Sequence, residues 1–201
     1  MPRPRKDQEG PSAVERMEEA FWSALAEKPY AKMTVGDIAQ RAQVNKNAFY
    51  YHYSSLYALA ERAIDNTLPR ELARMILLGG GLSGIQLDAL AATAPNLEQR
   101  TERIRLLAGP HGSSELAALL KQRILHAWLD IFGIGEADLD RESSVTLSFT
   151  LGGMLEVLGN DRCFEGRASL PQVLFSSPLM SSTAAAVLDV LHGAAEGATK
   201  S

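Results

Sequence analysis

The 201-residue chain is 46% apolar with a formal net charge of −4, enough to bury a core and too long for one minimal module. Cys163 is the only cysteine, which excludes an intrachain disulfide and a thiolate-rich zinc site; its thiol reads as inert, with redox sensing as the alternative. The start of the sequence lacks a signal-peptide pattern and no run approaches the roughly 18 apolar residues of a membrane span, so a reducing cytoplasm is expected and a membrane partner is not.

Charge differs by region. Residues 1–60 hold eight Lys or Arg against seven Asp or Glu, and residues 61–201 hold twelve against seventeen, so a polyanion would meet the N-terminal part. There, Arg3, Arg5 and Lys6 lie on a Pro-rich stretch with too little apolar content to fold alone. Residues 1–11 are expected to form a flexible basic arm, either a solvated tail or a segment reaching phosphates or a minor groove.

From Ser12 onward Val14, Met17, Phe21, Ala24 and Leu25 recur at helical spacing and predict a first helix to about Glu27, stopped by Lys28-Pro29. Thr34 caps a second helix, about Val35 to Ala42, with Asp37 in its first turn where negative charge suits the dipole. Gln43-Val44-Asn45 leaves room only for a turn before a third helix from Lys46 to about His52. Ser54 or Ser55 caps a fourth, with Leu59, Ala60, Ala63 and Ile64 on one stripe. Pro69 should kink or break it near Asp65, before Leu72, Met75 and Ile76, and Gly79-Gly80-Gly81 ends it. Further helices are expected at about 84–94, 97–108 (Asn96 as cap, with Gln99), 114–132, 138–158 and 182–192, with 160–180 an irregular connection. No segment reads as a strand. The expected fold is all-α: a three-helix helix-turn-helix head at residues 12–60 and a helical body at 61–201, joined within the fourth helix.

The head holds the informative constellation. Ile38, Ala39, Ala42 and Val44 occupy the inward positions of the second helix and turn, and small Ala39 permits close approach of the next helix. In the third, Phe49 and Tyr53 share one face four residues apart, leaving Lys46, Asn47, Tyr50 and Tyr51 pointing elsewhere. Lys46 and Asn47 suit base edges, Ala48 a thymine methyl, and Tyr50 and His52 phosphates. The competing reading takes Tyr50, Tyr51, Tyr53 and Tyr57 as a small aromatic core with snorkelling hydroxyls, but three consecutive bulky aromatics on one short helix cannot all face inward.

The stretch TVGDIAQRAQVNKNAFYYHYSSLYAL resembles the tetracycline-repressor (TetR) family of bacterial regulators over about residues 12–64. The resemblance implies that Lys46, Asn47 and Ala48 face bases, that Thr34, Tyr50 and His52 face phosphates, that Tyr51 serves base or sugar, and that Phe49 and Tyr53 form core. Arg41 and Asn45 complete the expected DNA-binding set. The sequence departs from the family pattern at Gln43 and Asn47, where glycines are usual, and at Leu56, where a phosphate-touching lysine is frequent. One fewer ionic contact should flatten the salt dependence of binding by about 0.9 log units per log unit of salt, for which Arg3, Arg5, Lys6 or Arg41 could compensate.

For the body the resemblance implies an effector pocket and a dimer interface. Arg123 and His126 interrupt the wide apolar belt of helix 114–132, and with Met75, Trp128 and Phe149 they are candidates to line a mostly apolar cavity for an unidentified small molecule. Gly152-Gly153 inside a helix costs roughly 1 kcal/mol per glycine, which calls for a close helix contact. Leu151, Gly152, Met154, Leu155, Leu158, Leu188 and Leu191 are the candidate dimer interface, intramolecular packing being the alternative. His126 and Asp130, four apart, have no nucleophile or third ligand tied to them by spacing, so catalysis, a metal and a cofactor are not expected. The expectation is a cytoplasmic homodimer on a near-palindromic duplex operator, a repressor released by its effector through a pivot at Pro69. The alternative is a helical regulator whose body binds a protein partner or no ligand.

Overall fold

The computed structural model describes residues 10–68, 70, 73–74, 77, 96–167, 173 and 178–199. Among these every regular element is helical. The expected helix at 84–94, the Gly79–Gly81 stop, Pro69, Leu72, Met75, Ile76 and the arm residues Arg3, Arg5 and Lys6 lie outside the described residues. The chain divides into two compact units, Met1–Ala63 and Ile64–Ser201, so the division falls within the fourth helix.

In the head, α1 (Ala13–Glu27) starts with a capping box in which Ser12 and Glu15 satisfy each other's backbone N–H groups. Its inner face buries Met17, Ala20, Phe21, Trp22, Ala24 and Leu25. A turn of 3₁₀ helix at Tyr30–Lys32 leads to α2 (Val35–Arg41), and α3 (Lys46–His52) and α4 (Leu56–Thr67) follow. Ser55, the nearer of the two expected caps, accepts from the Ala58 N–H at 3.1 Å. The α4 stripe Leu59, Ala60, Ala63 and Ile64 is fully buried, as its spacing requires.

In the body, α5 (Leu97–Ala108), α6 (Ser114–Phe132), α7 (Arg141–Gly159) and α8 (Pro178–Ala198) pack around α7, which touches the other three. The ends of α5 and α7 meet backbone to backbone: a Cβ on Gly159 would stand 2.2 Å from the Ala108 carbonyl oxygen, so only glycine fits there. Trp128 of α6 is 1% exposed and donates its indole N–H to the Ala73 carbonyl at 3.0 Å.

One cap and several boundaries differ from expectation. Asn96 precedes α5 in the left-handed conformation (φ 56°) and makes no side-chain cap; a short amide tolerates that backbone, which turns it away from the first-turn N–H groups. Asp140 caps α7 by accepting from Ser143 N–H at 2.8 Å, so α7 starts at Arg141, and residues 136–138 form a separate 3₁₀ turn. Residues 161–167 of the expected irregular connection also form 3₁₀ helix, and α8 extends through Gly193 to Ala198.

Candidate nucleic-acid interface

α2 and α3 have seven residues each, too short to persist alone, so neighbouring structure holds them. α2 buries Ile38 and Ala39 and is tied to α1 by polar contacts at both ends. At its start, the Lys28 ammonium lies 2.8 Å from the Asp37 carboxylate, while Thr34 and Asp37 close a capping box. Those hydrogen bonds, from Lys28 first and then from the Thr34 hydroxyl and backbone N–H, hold the Asp37 carboxyl down to about 2. At its far end, Arg41 grips both oxygens of Glu27 and donates to the Ser23 hydroxyl at 3.1 Å. Arg16 of α1 donates from Nε to the Ala42 carbonyl at 3.0 Å, placing a cation at the helix C-terminus where the dipole favours it.

The turn into α3 is a Schellman motif. The Val44 N–H reaches the Ala39 carbonyl at 2.9 Å and the Gln43 N–H the Gln40 carbonyl at 3.2 Å, with Gln43 left-handed at φ 54°. Asn45 then starts α3, its Oδ1 accepting from the Ala48 N–H at 2.7 Å.

α3 commits one side chain fully to the core. Phe49 is buried, and Tyr53, which ends the helix, is 7% exposed with its ring 5.7 Å from that of Phe49. The Tyr53 hydroxyl donates to Glu18 at 3.3 Å; burial, and then the Glu18 charge, pushes its phenol up to about 12. With Phe49 inward, the 100° step of a helix turns Asn47 and Tyr51 outward, one turn apart, with Tyr50 and Ala48 at the flanks. Tyr51 is 84% and Tyr50 56% exposed; Lys46, Asn47 and His52 are exposed and Ala48 is half-buried. This overturns the aromatic-core reading of the four tyrosines: Tyr53 is buried and Tyr57 half-buried, but Tyr50 and Tyr51 face water.

The nine expected DNA residues therefore divide by their bonds. Lys46, Asn47, Ala48, Tyr50, Tyr51 and His52 share one outward surface, and Lys46 has no ion-pair or hydrogen-bond partner among the described residues. Its ammonium lies over α2, 3.9 Å from where a Cβ on Gly36 would stand. Thr34, Arg41 and Asn45 are internally engaged: the Thr34 hydroxyl donates to Asp37 at 2.8 Å, Arg41 is held by Glu27, and Asn45 caps α3. The surface couples donors, aromatic faces and a cation on a helix narrow enough for a major groove.

Residues 19–63 match the family model described as bacterial regulatory proteins, tetR family. The head is a tetR-family DNA-binding domain. The match covers the end of α1, the α2–turn–α3 unit and most of α4, the segment whose packing exposes the α3 surface. The chain is thus a DNA-binding transcriptional regulator carrying a tetR-family helix-turn-helix. Among curated proteins, none matches the chain.

The body candidates fare differently. Of the residues expected to line a cavity, Met75 lies outside the described residues, and the other four are placed as follows. Trp128 is core, Phe149 stands 80% exposed on α7, Arg123 donates to Asp65 at 2.7 Å and His126 bonds Glu136 at 2.9 Å. On α6 the positions 123, 126 and 128 point in diverging directions. His126 partners Glu136 and not Asp130. Of the expected dimer residues, Leu151, Met154, Leu155, Leu158 and Leu191 are buried inside the protomer, Leu188 is half-buried and Gly152 is exposed. Those leucines serve packing of α7 and α8 within one chain. No helix among the described residues is long and apolar enough to cross a membrane.

Proposed function

We propose that the protein is a cytoplasmic homodimeric repressor that inserts α3 of each protomer into successive major grooves of a near-palindromic operator, occludes a promoter, and is released when a small molecule binds the body. The observation that carries this reading is the α3 surface, where Asn47, Tyr50 and Tyr51 face solvent while Phe49 anchors the helix. Base-edge contacts fall to Lys46, Asn47 and Ala48, and phosphate contacts to Tyr50 and His52.

Twofold operators call for a twofold protein. The outer side of α7 supports an interface with a second copy: Val145 and Phe149, four apart, are 62% and 80% exposed, and Gly152 continues the same row. Among the described residues, Cβ atoms on Gly152 and Gly153 would meet nothing within 4 Å, and the same holds for Gly193 of α8. Mid-helix glycines that no neighbour in the chain requires suit close approach of helices from another chain. Released by an effector, the two heads would take a spacing that fits the operator poorly, because a ligand shifts an equilibrium only by its differential affinity.

Selection of bound duplexes from a random pool tests the reading. A motif of two inverted half-sites, with centres one or more helical turns apart, is expected; recovery of no motif overturns it. On the selected operator, Lys46→Ala should weaken binding by about 1–3 kcal/mol and relax preference at one base pair. Thermal-shift screening against apolar and aromatic metabolites should find a compound that stabilises the protein and weakens operator binding.

A further inference from the structure

We propose, on the strength of the DNA-binding reading, that the head carries a further phosphate-binding site, a groove in which Arg62, His52 and Ser54 take one backbone phosphate at the edge of the duplex footprint. The groove, about 570 Å³, is lined by Val14 of α1, by His52, Tyr53 and Ser54 at the end of α3, and by Ala58 and Arg62 of α4. No carboxylate lines it among the described residues. The Tyr53 hydroxyl on its wall donates to Glu18.

Arg62 is the decisive residue. Of the arginines described in the head, Arg16 is bonded to the Ala42 and Pro11 carbonyls and Arg41 to Glu27, whereas Arg62 is exposed and has no ion-pair or hydrogen-bond partner among the described residues. Helical side chains lean toward the N-terminus, so Arg62 extends back over Ala58, one turn earlier, toward Ser54 and the end of α3. A guanidinium presents a planar fork that matches two phosphate oxygens, and the Ser54 hydroxyl and a His52 ring N–H supply further donors from the facing wall. The groove continues the surface of α3: His52 belongs to both. A duplex seated with its major groove on Asn47 and Tyr51 must carry its backbone past the ends of that helix, and phosphate contacts there fix register without reading sequence.

The test compares operator affinity across salt concentrations for the full-length protein, Arg62→Gln and Arg62→Lys. Loss of one phosphate contact should reduce the slope of log affinity against log salt by about 0.9 in Arg62→Gln, leave the ranking of operator variants unchanged, and spare most of the slope in Arg62→Lys. Ethylation of one flanking phosphate should weaken binding by the unsubstituted protein and have no effect on Arg62→Gln. A wild-type slope and interference pattern in Arg62→Gln overturns the proposal. So does a groove filled by inorganic phosphate, read as a rise in the melting temperature of the free protein that Arg62→Gln abolishes while the operator slope is unchanged. Matched melting curves keep a folding defect from imitating the expected result, and the slope in Arg62→Lys reads the contact a second time. If the unsubstituted protein selects no duplex, the DNA-binding reading fails; if it binds and Arg62→Gln behaves identically, this site alone fails.

Discussion

Gln43→Gly should stabilise the head while leaving its contacts intact. Gln43 sits at the left-handed position of the turn between α2 and α3, φ 54°, with its N–H on the Gln40 carbonyl and its neighbour Val44 closing the motif on Ala39. Its side chain is exposed, so substitution removes little packing. An L-residue in this region carries about 1–2 kcal/mol of steric cost, which glycine lacks. Glycine also gives the unfolded chain more freedom, which returns about 0.5–1 kcal/mol to the unfolded side. The net expectation is about 0.5–1 kcal/mol of added stability, or about 2–8 °C for a unit of this size. Gln43→Val, β-branched at the same backbone, should destabilise by about 1–3 kcal/mol. Tyrosine fluorescence, with four tyrosines on or beside α3, can follow the melting of the head. Operator affinity of Gln43→Gly measured well below that transition should be unchanged, because the direction of α3 is set by the same two hydrogen bonds. A glycine variant no more stable than the parent would show that Gln43 does not carry the strain its φ implies.

Further outcomes follow from other contacts. The Asp37 carboxyl, held at about 2 against an ordinary 3.8, contributes stability that is present above about 4 and lost as pH falls toward 2, so Asp37→Asn should flatten the acid limb of the unfolding curve of the head and lower its stability at neutral pH. Arg41→Gln should lower the melting temperature, and pairing Arg41→Glu with Glu27→Arg should recover part of the loss, whereas a DNA-contacting Arg41 would show its main effect on the salt slope. Trp128→Phe strands the buried Ala73 carbonyl and should cost about 1–3 kcal/mol by denaturant titration. Phe149→Glu should yield monomers by sedimentation and weaken operator binding without lowering the helical content, since Phe149 makes no core of its own; a dimeric Phe149→Glu would remove the outer side of α7 from the interface.

The head was legible because its short helices advertise their ends. Ser12 with Glu15, Thr34 with Asp37, and Asn45 are side-chain caps at fixed offsets, and a cap is a local signal. The inward side of α3 was legible for the same reason: Phe49 and Tyr53 are one turn apart. What the pattern did not reveal is which polar residues look inward to their own chain. Arg41 and Glu27 are fourteen positions apart and Arg16 and Ala42 twenty-six, and no periodicity announces a pair at that separation. The consequence bears on the proposed interface: Arg41, a cation beside α3, is already spent on α1, while Arg62 has no ion-pair or hydrogen-bond partner among the described residues.

The body shows the same ambiguity for apolar residues. A stripe of Leu151, Met154, Leu155 and Leu158 predicts burial but cannot say whether the covering surface belongs to the same chain. In the fold, neighbouring helices bury all four. Among the residues that point outward are Phe149, Gly152 and Gly153 on α7 and Gly193 on α8. Glycine inside a helix is costly, roughly 1 kcal/mol each relative to alanine, and the usual explanation is a neighbour too close for a Cβ. Gly159 has such a neighbour inside the chain; Gly152, Gly153 and Gly193 have none within 4 Å among the described residues. The same residue type thus separates contacts made within the protomer from the outer face that the proposed dimer would use, and it does so by the open space beside it.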